Sequence, residues 1–219
     1  MTTTLLVAPR RGAWIETAKG VATLKVELIS HTKDPLDTAM VAAAECYEKE
    51  PALQRVIKCI ENGHHSIVEH VSFSFRVTGL SLAASHQLVR HRIASYSQKS
   101  QRYVEEGNFK YVVPPSIEGN EEAKRIFTET MDTIKDAYSK LREMKVRKED
   151  ARFVLPNACE THIVFTMNLR SLFNFWILRR DKSAQWEIRE LAEETLKFVL
   201  DVLPELQDAI LKYITTHHP

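Results

Sequence analysis

The sequence predicts an α+β fold, a single domain of mixed helices and a central sheet, with no Rossmann turn. Two alternating stretches carry the sheet. LKVELIS (24–30) and VSFSFRV (71–77) set apolar residues at every second position, the period of a half-buried strand. Between and after them, apolar residues recur at helical spacing, most plainly over 120–145 and 184–203. No composition break or internal repeat marks a second domain. Neither GxGxxG nor GxxxxGK followed by Ser or Thr occurs, so any nucleotide or flavin is held without a glycine-rich turn.

Taken in order, residues 1–22 have no clear period and stay unassigned, which leaves 23–219 as the domain. DPLDTAMVAAAECYE (34–48) opens on Asp and Pro and turns alanine-rich, a helix start. PALQRVIKCIENG (51–63) sets Leu53, Val56, Ile57 and Ile60 on one face and stops at Gly63, which suits the position after a helix end. SLAASHQLVRHR (81–92) reads as a short helix with Leu82, His86 and Val89 on one side. Residues 93–109 are irregular and polar, a loop, and KYVVPP (110–115) is a short strand ended by two prolines. Ile126, Phe127, Met131, Ile134, Tyr138 and Leu141 mark one face of the 120–145 helix. EDARFVLP (149–156) is a short helix closed by Pro156, and ETHIVFTMN (160–168) a strand. LRSLFNFWILRR (169–180) and AQWEIRELAEETLKFVLDVL (184–203) are helices.

Composition narrows the partners. The chain has 219 residues, 44% hydrophobic, enough for one sizeable core. Its net charge is +1, where a protein gripping long nucleic acid is usually more basic, so a bound anion is small and local. Cys46, Cys59 and Cys159 form no CxxC pair, which fits reduced thiols in a cytoplasmic protein. No apolar run is long enough to span a bilayer, and MTTTLLVAPRRG lacks a signal-peptide core.

Against that near-neutral background stands RHRIASYSQKSQRY (90–103), with Arg90, His91, Arg92, Lys99 and Arg102 and no acid between Glu69 and Glu105. On a helix, successive residues point about 100° apart, so Arg90, His91 and Arg92 cannot all serve one ligand atom. They straddle two ligands or one large one. Ser95, Ser97, Gln98, Ser100 and Gln101 add short hydrogen-bonding groups beside Arg102, and an Arg fork matches phosphate oxygens in pairs. Three or four charge-assisted hydrogen bonds at roughly 1.5–3 kcal/mol each would support micromolar binding. The plain alternative is that these arginines pair with acids of the 120–150 segment on a solvated face, where such pairs are weak.

Two further polar stretches stand out. NGHHSIVEH (62–70) carries His64, His65, Glu69 and His70 in a turn entering a strand; the HExxH order of zinc proteases is absent, and no metal is expected. In NLRSLFNFWILRR (168–180), Arg170 and Asn174 share a helix face.

Arg90-His91-Arg92, seven residues and Ser100 form a signature that resembles the flavin-dependent thymidylate synthases. NGHHSIVEH (62–70), ARFVLP (151–156) and NLRSLFNFWILRRDKSAQWEI (168–188) resemble the same family in the same order. The resemblance implies methylation of dUMP at C5, with methylenetetrahydrofolate as carbon donor and FAD, reduced by NADPH, as hydride source. No protein nucleophile is then required, because the cofactor carries the hard chemistry. It also implies a homotetramer whose sites are built from several subunits, with no nucleic acid and no membrane as partner. By resemblance, Gln87, Arg90, Ser100, Arg102, Arg152 and Arg179 bind dUMP, with Arg90 and Arg102 on the phosphate. Arg179 is the catalytic residue, beside the uracil, where it steadies developing negative charge. His64, Ser66, Glu69, Arg90, His91, Arg92, Asn168, Arg170 and Asn174 are the FAD set. Two positions depart from some members: Gln98 stands in place of an acid and Ser183 in place of a histidine. Two other readings compete. One is a phosphate- or nucleic-acid-binding module that uses Tyr96 and Tyr103 as stacking surfaces, whose affinity would fall steeply with salt. The other is a flavoprotein with a different substrate, in which Ser100 and Arg102 are incidental.

Overall fold

A computed structural model describes residues 20–217, so most of the unassigned segment 1–22 lies outside the described residues. The strands are β1 (Lys25–His31), β2 (Ser72–Ser81), β3 (Ser95–Gln98) and β4 (Glu160–Asn168), in the order β1-β2-β4-β3 with every neighbour antiparallel. The helices are α1 (Pro35–Tyr47), α2 (Leu53–Glu61), α3 (Leu82–Leu88), α4 (Pro115–Glu118), α5 (Glu121–Glu143), α6 (Lys148–Ala151), α7 (Leu169–Arg179), α8 (Trp186–Val202) and α9 (Gln207–Thr216). The α+β class and the single domain agree with the sequence reading.

The sheet is held by the pairing of β2 with β4. Alternation puts Phe73, Phe75 and Val77 on the buried face, opposite Met167, Phe165 and Ile163. The Phe75 and Phe165 rings lie 5.3 Å apart, and Phe198 of α8 closes on Phe75 at 6.4 Å. On the other face the residues are polar: Ser74 and Thr166 join hydroxyls at 2.8 Å, and Arg76 donates to Glu27 at 3.0 Å. Trp176, fully buried on α7, donates its indole N–H to Thr195 of α8 at 3.1 Å, which satisfies the one polar atom it takes into the core. A smaller cluster of Phe109, Tyr111, Met131 and Cys159 lies under α5.

Two joints position the site. β2 runs directly into α3 at Ser81–Leu82, and β4 directly into α7 at Asn168–Leu169. The Ser81 hydroxyl accepts from Ala84 N–H at 3.0 Å, and the Asn168 side chain accepts from Ser171 N–H at 2.9 Å, so each helix starts on its own cap. Glu187, buried in the first turn of α8, takes both the amide and the hydroxyl of Ser81 at 2.6 Å. Burial pushes the Glu187 carboxyl above the usual carboxylate range, and the two Ser81 bonds work against that shift.

Several local expectations are corrected. The 81–92 helix stops at Leu88, so Arg90, His91 and Arg92 lie in the turn beyond it rather than around a helix. Residues 95–98, read as loop, form β3 because the chain returns to pair with β4. KYVVPP is not a strand: Tyr111 makes isolated bridges to Val21 and Cys159. His65–Val68 is a 3-10 turn, and β2 begins only at Ser72. The 149–156 helix is α6 followed by a 3-10 turn at Arg152–Val154. Gly63 has φ +76° just beyond the end of α2, as its sequence position implies.

At Gly79, where the β2–β4 register shifts, φ is +72° and a Cβ would fall 1.8 Å from the Thr23 carbonyl oxygen. Backbone cannot yield as a side chain does. Gly79→Ala is expected to destabilise the fold by about 3 kcal/mol, combining conformational strain with overpacking. A urea-unfolding midpoint within error of the wild type would show that β1 is not held against this strand as described.

Candidate functional site

The first group of site residues lies where α3 and α7 end. Arg179, the last residue of α7, donates from Nε to His91 Nε2 at 2.9 Å and from a terminal nitrogen to the Gln87 carbonyl at 3.3 Å. Gln87 belongs to the last turn of α3, so one guanidinium ties both helix ends, each of which carries partial negative charge. Because Nε2 of His91 accepts, the ring is neutral with its proton on Nδ1. Burial, then the Arg179 charge, pushes His91 down to about 4. Its ring meets Phe175 edge-on at 5.0 Å. Burial also lowers Arg179 from its ordinary value.

The Arg-His-Arg turn is fixed from below by Tyr96. Its hydroxyl lies 2.8 Å from the carbonyls of both Leu88 and His91 and shares its proton between them, and burial pushes its pKa up to about 12. A Tyr96 held this way is not a stacking surface. Arg90 and Arg92 are left exposed, and among the described residues neither makes an ion pair.

The second group lies on the loop after β3. Lys99 does not belong to the outward cluster: it is half-buried and pairs with the buried Glu106 at 2.9 Å. Gln98 donates to Ser85 and Thr161 at 3.1 Å, Gln101 reaches the Cys159 sulfur at 3.8 Å, and Glu106 N–H donates to Tyr138 at 3.3 Å. These contacts pin a polar loop to the core and leave Ser100 and Arg102 on its outer side. Arg102 takes the plainer alternative raised by the sequence. Glu149, in α6, binds its Nε at 3.2 Å and a terminal nitrogen at 3.1 Å. Arg152 donates to the Glu149 carbonyl at 3.1 Å, so Arg102 and Arg152 flank one acid. Arg147 pairs with the same carboxylate at 3.3 Å.

The third group joins the 3-10 turn to α7. Arg170 pairs with Glu69, and Asn174 is exposed one turn further on. Asn168 spends its side-chain oxygen on the helix cap. His64 Nδ1 lies 3.3 Å from the Tyr47 hydroxyl. His65, beside it in sequence, is buried: its Nε2 donates to the Ile60 carbonyl at 3.1 Å, and the ring packs on Tyr213 at 4.3 Å. Ser66 lines a cleft of about 490 Å³ with Thr38, Val41, Ala42, Cys46 and His70. Among the described residues, no cluster of His, Cys, Asp and Glu is arranged as a metal site.

Within the described residues no side-chain hydrogen bond or ion pair joins the expected site residues of one group to those of another, although Gln98 ties the loop to α3 through Ser85. Sequence reasoning placed a candidate partner of Arg102 in the 120–150 segment without singling out Glu149, and it missed the structural role of Tyr96. The only signal for Glu149 is an acid set between Arg147 and Arg152, and its distance from Arg102 along the chain hides the pairing. Of the two departures, Gln98 is turned toward α3 and β4, and the Ser183 hydroxyl donates to Asp181 in a local turn.

The chain's resemblance to known proteins covers all three groups. The family of thymidylate synthase complementing proteins matches residues 27–205. A flavin-dependent thymidylate synthase of Geobacter sulfurreducens is 47% identical over 197 residues, covering 84% of this chain and 85% of that protein. Proteins of the same description from Clostridium tetani and Pyrococcus furiosus are 42% and 41% identical, covering 84% and 80% of this chain and 85% and 78% of their own lengths. The chain belongs to the flavin-dependent thymidylate synthase family.

The depressed His91 pKa has a pH consequence. The unfolded chain takes up the imidazole proton near 6.5 and the folded one near 4. This contribution to stability is complete above 6.5 and is lost as pH falls toward 4. A proton NMR titration is expected to place the His91 midpoint near 4. A midpoint near the ordinary value would mean that Arg179 does not rest on a neutral ring.

Proposed function

We propose that this protein converts dUMP to dTMP, taking a methylene from methylenetetrahydrofolate and a hydride from FAD that NADPH has reduced. What carries the reading is the arginine that ties both helix ends, Arg179 on the neutral His91, inside a chain that aligns along most of its length with flavin-dependent thymidylate synthases. We take residues 23–219 as one catalytic domain in the cytoplasm. Among the described residues no helix is long and apolar enough to cross a membrane.

The chain's own residues act by binding and orienting. Arg102 and Arg152, with Ser100 between them and β3, hold the dUMP phosphate, which takes the place of the Glu149 carboxylate on Arg102. Arg90 reaches the same phosphate from a second direction, and Gln87 holds another part of the nucleotide. Arg179, kept in place by two contacts and only partly hydrated, polarises the uracil as C5 becomes electron-rich. The neutral His91 accepts from Arg179 and so leaves the guanidinium's full charge for the substrate.

The residues present suit FAD. Arg90, Arg92 and Arg170 match a diphosphate in charge; Ser66, His64, Asn168 and Asn174 supply neutral polar groups, and Glu69 orients Arg170. Bound there, FAD supplies the hydride that turns a transferred methylene into a methyl. The separation of the three groups within one chain favours sites shared between the subunits of a homotetramer.

The test is tritium release from 5-tritiated dUMP by purified protein with FAD, NADPH and methylenetetrahydrofolate, each omitted in turn. Release that needs both folate and reduced flavin is expected; binding of FAD and dUMP without release would point to another substrate. Arg102→Ala is expected to weaken dUMP at least tenfold by calorimetry and to leave FAD bound, in keeping with the loss of a charge-assisted contact of roughly 1.5–3 kcal/mol. Unchanged dUMP affinity would remove Arg102 from the phosphate site.

A further inference from the structure

Arg102 also borders a cleft of about 480 Å³ whose other lining residues, Tyr103, Arg142, Lys145, Arg147 and Lys148, have no role in the reading above. Arg102, Arg142, Lys145, Arg147 and Lys148 line it. Against these five cations stand two carboxylates, Glu149 on Arg102 and Arg147, and Glu105 on Arg142 and Lys148. The excess positive charge is local, because the whole chain carries only +1. It is also concave and built from separate elements: the loop after β3, the end of α5, the linker beyond it and α6. Four of the five cations share these two carboxylates and Lys145 has neither, so the cleft keeps a local excess of positive charge.

The cleft is partly preorganised. Lys148 donates to the Tyr103 carbonyl at 3.0 Å, and Arg142 donates to the Val146 carbonyl, so the two carry charge into the cleft on fixed stems. Lys145 has φ +67°, a conformation lysine rarely adopts, and among the described residues its side chain makes no hydrogen bond or ion pair. The Tyr103 ring, 74% exposed with the Arg102 guanidinium 5.6 Å from its centre, forms an apolar rim. A ligand for this place carries several negative charges, and by the reading above it would lie beside the nucleotide phosphate.

We propose that the cleft binds a polyanionic chain, and that in the reaction inferred above this is the γ-linked oligoglutamyl tail of the folate. The inference rests on that reading for the identity of the ligand and on the cleft alone for its charge. Each added glutamate brings one more carboxylate, and surface pairs worth roughly 0.2–1 kcal/mol each add up to a measurable preference for the longer tail.

The experiment compares monoglutamyl with triglutamyl methylenetetrahydrofolate in the tritium-release assay on the FAD-loaded enzyme. The triglutamate is expected to have a KM about tenfold lower, at equal kcat. Lys145→Glu is expected to reduce that preference severalfold, and Lys145→Glu with Lys148→Gln to abolish it, with the monoglutamate kcat unchanged. Equal KM values in the wild type, or a preference that survives both variants, overturns the proposal. Should the double variant fail to fold, Lys145→Glu decides alone, since it breaks no contact. A second arm needs no turnover: displacement of a fluorescent γ-triglutamyl peptide from the protein, competed with inorganic tripolyphosphate. Peptide binding lost in Lys145→Glu supports the site even if no tritium is released, which would then count against the synthase reading alone. Tripolyphosphate binding without peptide binding overturns the assignment to the folate tail, and binding of neither overturns the site.

Discussion

The pairing of β2 with β4 is the constraint from which the rest follows. Its inward residues stack as facing pairs, Phe75 on Phe165 and Phe73 opposite Met167, and burying each such side chain stabilises the fold by roughly 1.5–3 kcal/mol. The two strands run in opposite directions and each becomes a helix without a linking residue. Helices α3 and α7 therefore start from opposite ends of the same ladder and run toward one another. Their C-terminal ends come close enough for a single guanidinium, that of Arg179, to reach both. A slip of one residue in the ladder would turn the core side chains outward and also separate the halves of the site.

The basic segment shows how a fold divides charges that look alike in sequence. Lys99 and Arg102 are three residues apart. One is half-buried on Glu106 and anchors the loop; the other is exposed and pairs with Glu149 at the surface. The anchored charge is structural, because removing Lys99 would strand Glu106 in the core. The pairing of Lys99 and the turn of Gln98 toward Ser85 and Thr161 are what allow Ser100 and Arg102 to face outward.

What the sequence made legible is what depends on period and on local caps. The alternation of β1 and β2, the long helices α5 and α8, and the stop at Gly63 needed only neighbouring residues. The failures share a cause. Residues 95–98 become a strand, and KYVVPP does not, through partners far along the chain. Likewise α3 ends at Leu88, and the turn beyond it is held by Tyr96, which bonds the Leu88 and His91 carbonyls from β3. The candidate residues stand in recognisable motifs, but their grouping does not follow from them: nothing local singles out Glu149 as the partner of Arg102 or sets Arg179 on His91.

Glu149 gives the arrival of an anion at Arg102 a particular thermodynamic form. The guanidinium already has a carboxylate at 3.1 Å, so an incoming phosphate exchanges one charge-assisted contact for another. The free energy of binding at this point is a difference between two similar terms. Its enthalpy is correspondingly small, and its dependence on ionic strength is shallower than that of an arginine waiting alone, since screening weakens the departing pair as well as the entering one. A carboxylate displaced in this way would still have Arg147 as a partner. If the nucleotide phosphate binds at Arg102 as proposed, the loop keeps its charge balanced with and without it, and release leaves no bare cation behind.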